Sequence, residues 1–232
     1  MRSGNPVYGN QMHNVFGRTA ETSSGAVISA NVYNLIIGLV LCWGFFINWL
    51  IIKNVPYQSI AQINPWIFLI AYFACCMFGI SLFRGSENPM ISFIGYNLVV
   101  IPFGFVINLA VYGYDPLIVE QAVRVTGLVT AFMMLAGTLF PDFFKRIAGG
   151  LTIALIAVII IEFVEVLFFN IHHGIFDYIV VLIFCGYIGY DWARANAIPR
   201  TVDNAIDSAA ALYIDIINLF LRILRILGRR NN

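Results

Sequence analysis

What most constrains this chain is the recurrence of apolar runs about as long as the hydrocarbon core of a bilayer is thick. A helix rises about 1.5 Å per residue, so roughly 20 apolar residues in a row cross that core. Seven segments approach this length: Val32 to Ile52, Pro65 to Phe83, Met90 to Tyr112, Leu117 to Phe140, Ile147 to Phe169, Ile175 to Tyr190 and Ile206 to Leu227. Of the 232 residues, 60% are hydrophobic and 11% charged. A soluble domain carries about 45–50% apolar and about 25% charged residues. The expectation is an all-α integral membrane protein, a bundle of seven transmembrane helices.

The joints between the segments are short and marked by Pro or Gly, as in RGSENP, GYDP and PDFFKR. Short joints make successive helices antiparallel neighbours in one bundle. The first thirty residues are polar and Gly/Ser/Asn-rich, with no apolar run of signal-peptide length, and read as a flexible cytoplasmic tail. Residues 31–232 then form one domain. Arg2, Arg18, Arg84, Lys145, Arg146, Arg194 and Arg200 fall on one face, and before the last helix the other face offers only Lys53, so the amino terminus is expected inside. The last segment breaks that pattern, because Arg222, Arg225, Arg229 and Arg230 stand at its end. Either it spans against the rule or it is re-entrant and turns back. The formal charge of +1 carries no nucleic-acid signature, and the four cysteines all lie in apolar runs, where a thiol acts as a small hydrophobe.

Asp215 stands near the middle of the last segment, where a bare carboxylate in hydrocarbon would cost several kcal/mol, so it must face protein or water and have a partner. Asp191, in FCGYIGYDWARA, lies at the cytoplasmic edge of the sixth segment or just inside it. Asp215 lies roughly 13 Å along the last helix from Ile206, deep enough to meet a neighbouring helix end. Two carboxyls brought together at low dielectric cannot both ionise cheaply and share a proton. Such a pair is a proton-sensitive latch and, deprotonated, a candidate calcium site. The plainer alternative is that each Asp bridges helices through Tyr187, Tyr190, Asn218 or an Arg.

Other polar residues support weaker readings. Glu162 and Glu165 lie one helical turn apart in an apolar segment, either as candidate lining of a cation path or as an acidic pair solvated at the outer interface. Glu120 and Arg124 are spaced for a helix ion pair. His172 and His173 could join Asp177 on zinc, but the further ligands of a structural site are missing. Arg222, Arg225 and Arg229 form a basic edge suited to anionic headgroups.

The stretches LYIDIINLFLRILRILGRR, GYDWARA and QAVRVTGLVTAFMMLAGTLFPDFFKRIAGGL resemble the Bax inhibitor-1, or transmembrane Bax inhibitor motif, family. The likeness runs through nearly everything after Val32 and is most specific in the last forty residues. The resemblance implies a seven-helix domain with the last helix central, and a pH-sensing pair of aspartates, Asp191 and Asp215, that gates a calcium leak. It also implies an arginine on the second helix that latches the sixth-helix aspartate, here Arg84, although Glu87 stands nearby to take it. No resident cofactor is implied. Calcium and protons are the expected partners along with the lipid bilayer, and a role in suppressing cell death adds other membrane proteins. The membrane would be the plasma membrane of a bacterium or an internal membrane, such as the endoplasmic reticulum, of a eukaryote.

Three other functions compete. Intramembrane aspartyl proteases use two membrane aspartates, but their Gly-x-Gly-Asp is replaced here by Leu212-Tyr213-Ile214-Asp215, and no serine elbow or zinc helix is present, so no enzyme is expected. A proton-coupled cation exchanger would use the same carboxyls and would be favoured by inverted repeats, of which none is evident. A non-conducting regulator would work through its apolar exterior.

Overall fold

A computed structural model describes residues 25–165 and 174–230. The described residues form eight helices and no strand: α1 (Ala30–Asn54), the single-turn α2 (Tyr57–Ala61), α3 (Pro65–Gly85), α4 (Pro89–Val111), α5 (Pro116–Leu139), α6 (Pro141–Val164), α7 (Ile175–Ala197) and α8 (Val202–Arg230). The expected all-helical architecture is present, with seven long helices and α2 as an extra turn in the joint after Lys53.

Proline sets the starts. α3, α4, α5 and α6 each begin on one, where the missing N–H is one that a helix leaves unpaired in any case. The side chain before three of these prolines completes the cap. Asn64 accepts from the Trp66 amide at 2.9 Å, Asn88 from Met90 at 2.9 Å and Asp115 from Leu117 at 2.8 Å. α7 runs past Tyr190, its expected end, to Ala197. Asp191 and Arg194 satisfy each other inside it, and Ile198, held extended before Pro199, is what stops it. Asp191 is therefore a residue of the helix body, the inner of the two places the sequence allows it.

The centre of the bundle is α8, packed against α1, α4, α5 and α7. Ala205, Ala209, Ala210, Leu212, Tyr213 and Leu219 are completely buried, and the alanines let neighbouring backbones come close. The outer helices show Leu, Ile, Phe and Trp on their outward faces, which is the surface a lipid-bathed bundle requires. Six helices, α1 and α3 to α7, are long and apolar enough to cross a membrane. The seventh, α8, has 29 residues but carries Asp203, Asp207, Asp215 and four arginines, so composition alone does not mark it as a span. It is one unbroken helix, about 43 Å long at 1.5 Å per residue, and does not turn back, so the re-entrant alternative has no counterpart here.

Candidate functional site

The acids of α7 and α8 are buried against protein rather than lipid. Asp215 is 7% exposed and Asp191 8%, and the Asp191 carboxyl lies within hydrogen-bonding reach of Asp215. The two helices that carry them pack along each other, and α7 is also drawn onto α5 where Gly137 meets Gly189, two residues before Asp191. A Cβ on Gly137 would collide with the Gly189 carbonyl, so only glycine permits this approach.

The pair lies on the wall of a cavity of about 460 Å³. α3 contributes Arg84; α6 contributes Ala148, Gly149 and Thr152; α7 contributes Tyr187, Tyr190, Asp191 and Arg194; α8 contributes Ala211, Ile214 and Asp215. Tyr187 donates to the Thr152 hydroxyl at 2.9 Å, and Asn218 bonds back to the Ile214 carbonyl of its own helix, so neither serves as the bridge to an aspartate that the sequence allowed. One Asp215 oxygen, Oδ2, is buried without a hydrogen-bond partner. A buried carboxylate oxygen left in that condition is costly, and a proton or a cation would relieve it.

The cation against Asp191 is Arg194, whose Nη1 stands 2.9 Å from Oδ1, both side chains 11% exposed. Arg84, the arginine expected as latch, is exposed and lines the same cavity from α3. The Arg194 contact joins residues three apart on one helix, a spacing visible in DWARA and passed over in the sequence. Two further acids of α8 were also passed over. Asp203, 3% exposed, accepts from the Ser92 hydroxyl at 2.6 Å, and Asp207, 2% exposed, lines a small adjoining cavity that shares Arg84 and Arg194 with the main one. Residues 207, 211 and 215 recur at four-residue spacing, and this would have shown Asp207 on the face of Asp215.

At the other end of α8 the basic edge turns inward rather than toward headgroups. Arg222, Arg225 and Arg229 stand 3.0, 3.1 and 2.7 Å from Asp177, which is 1% exposed in the first turn of α7. Arg222 also grips Glu162 through both oxygens, at 2.5 and 2.8 Å. Glu162, a candidate for a cation path, is thus one partner in an ion cluster tying α6, α7 and α8. Glu165 follows it with Oε2 buried. Glu120 and Arg124 make the expected exposed pair at 2.5 Å. His172 and His173 lie outside the described residues. Among the described residues no three His, Cys, Asp or Glu side chains cluster as a metal site.

The family described as inhibitor of apoptosis-promoting Bax1 matches residues 26–232, which is everything after the polar start. The chain belongs to the Bax inhibitor-1 family. A relative named "BI1-like protein" from Arabidopsis thaliana is 29% identical over 194 residues, covering 80% of this chain and 74% of its own length. The protein named "Bax inhibitor 1" from Schizosaccharomyces pombe is 28% identical over 179 residues, covering 74% of this chain and 65% of its own length. "Protein LIFEGUARD 3" of Arabidopsis thaliana reaches 52% identity over a shorter stretch of 54 residues, 23% of this chain and 21% of that protein. Membership agrees with the resemblance read from GYDWARA and LYIDIINLFLRILRILGRR.

Proposed function

We propose that this Bax inhibitor-1 family protein is a pH-sensitive calcium leak channel whose gate is the proton shared by Asp191 and Asp215. The observation that carries the reading is two buried carboxyls within reach of each other on the wall of a cavity of about 460 Å³ between membrane helices. With the proton in place the pair holds α7 to α8. Once the proton leaves, two adjacent anions repel at low dielectric, and the same oxygens become hard ligands for a passing calcium ion. The ionisable groups facing the pair set the balance: Arg194, Tyr187 and Tyr190 from α7 and Arg84 from α3, while α6 offers only Thr152 and small residues. Arg194 neutralises part of the pair's charge, and Arg84 lines the same cavity from α3.

In this reading calcium is cargo rather than a resident cofactor, the protein is not an enzyme, α8 is the seventh span, and the dyad end and the amino terminus are cytoplasmic. Liposomes holding the purified protein and a calcium indicator test it. The reading expects calcium entry down its gradient without obligatory proton counter-flux, rising from pH 6 to pH 8. Tightly coupled proton counter-flux would replace it with an exchanger, and no flux at any pH would leave a non-conducting regulator of other membrane proteins.

A further inference from the structure

On the side of α8 away from the dyad cavity is a second space, larger and of opposite character. It measures about 520 Å³ and is walled by Phe45 and Trp49 of α1, Val123 and Gly127 of α5, and Ile217 and Phe220 of α8. Each of the two polar side chains on its wall donates to an internal partner. The Asn48 amide donates to the Tyr213 hydroxyl at 2.7 Å, and the Thr126 hydroxyl donates to the Ala122 carbonyl at 2.7 Å. Such a wall carries no charged group, and apart from the buried Asn48 Oδ1 it has the size and lining of a site for an apolar molecule.

One end of this groove is not apolar. It shares Ile52 and Val111 with a smaller pocket of about 260 Å³ at the α1–α2 joint, lined by Lys53, Asn54, Tyr57 and Tyr112. The Lys53 ammonium rests 4.8 Å from the Trp49 ring centroid, and Trp49 is itself a wall of the groove. No carboxylate pairs with Lys53 among the described residues. Tyr57 stacks on Tyr112 at 3.7 Å, and tryptophan and tyrosine gathered beside a lysine mark the level of lipid headgroups.

We propose that this groove is a binding site for one anionic phospholipid of the surrounding bilayer, with an acyl chain between α1 and α5 and its phosphate at Lys53. The half-exposed Trp49 and Val123 on its rim open it sideways to lipid, and the single unpaired cation at its polar end selects an acidic head over a zwitterionic one. The chain bears on Ile216 and Ile217, the two residues that follow Asp215 on α8. The inference is independent of whether the protein conducts calcium.

Native mass spectrometry of the full-length protein in detergent, with dioleoylphosphatidylglycerol, dioleoylphosphatidylcholine or oleate added, reads the site. The wild type retains one phosphatidylglycerol and prefers it to phosphatidylcholine about fivefold, the worth of one lysine near an anionic surface. Lys53→Gln binds the two lipids equally. Gly127→Leu fills the groove and loses retention of both, and it should fold, because a Cβ on Gly127 meets nothing within 4 Å. Val123→Trp, at a position 56% exposed, is a second plug. Phosphatidylglycerol retained equally by the wild type and both plugged variants, or a wild type without headgroup preference, would overturn the site. Displacement of phosphatidylglycerol by equimolar oleate would overturn the phospholipid as its occupant.

Discussion

Arg194 stands 2.9 Å from Asp191 on the same helix, so the dyad carries its own cation one turn away, while Arg84 reaches its cavity from α3. The structure thus gives the pair two arginines of unequal closeness, and the closer one is the one the family resemblance did not indicate.

Substitution separates the two. Arg194→Gln removes the cation that stands against Asp191, so the rise of calcium flux with pH should move to more alkaline pH. Arg84→Gln, at an exposed position, should move it less, because solvent screens that charge. Flux in liposomes across pH 6 to 8 measures both. A larger shift for Arg84→Gln would return the latch to α3.

The ion cluster at the other end of α8 should act mainly on stability. Asp177→Asn leaves three arginines facing a neutral buried group and should cost roughly 3 kcal/mol, the scale of breaking a buried pair. Glu120→Gln breaks an exposed pair and should stay within about 0.5 kcal/mol. Thermal unfolding of the detergent-solubilised variants distinguishes the two. Equal effects would mean that the cluster does not tie α6, α7 and α8 together.

Gly137 tests the approach of α5 to α7. Gly137→Val puts a side chain onto the Gly189 carbonyl and should destabilise by about 1–3 kcal/mol, the range for overpacking. Gly38→Ala, whose Cβ meets nothing within 4 Å, should be neutral or slightly stabilising, as alanine is the better helix former. The same unfolding measurement decides, and a tolerated Gly137→Val would show that the helices can part there without loss.

The bundle was legible in the sequence because hydropathy and proline act locally: the long apolar runs became helices, and the Asn-Pro and Asp-Pro joints became their caps. Asp191 and Asp215 were legible because an acid inside an apolar run demands a partner. What escaped depended on which way side chains turn. The arginines of α8 have the spacing of a headgroup anchor, and only the packing of α7 shows them folded in on Asp177. Glu162 lacked a visible partner because Arg222 is 60 residues away in sequence. The extension of α7 past Tyr190 was hidden because polar residues in DWARAN resemble a loop until Arg194 is seen to neutralise Asp191.

The central claim is that one proton shared between Asp191 and Asp215 sets the conducting state, and calcium flux through Asp191→Asn and Asp215→Asn in liposomes across pH 6 to 8 tests it most directly. Each substitution leaves a single carboxyl with a neutral amide beside it, so the pair can no longer be driven apart by its own charge. The account predicts that the rise of flux with pH seen in the wild type is lost in both variants. A wild-type pH profile in both would contradict it.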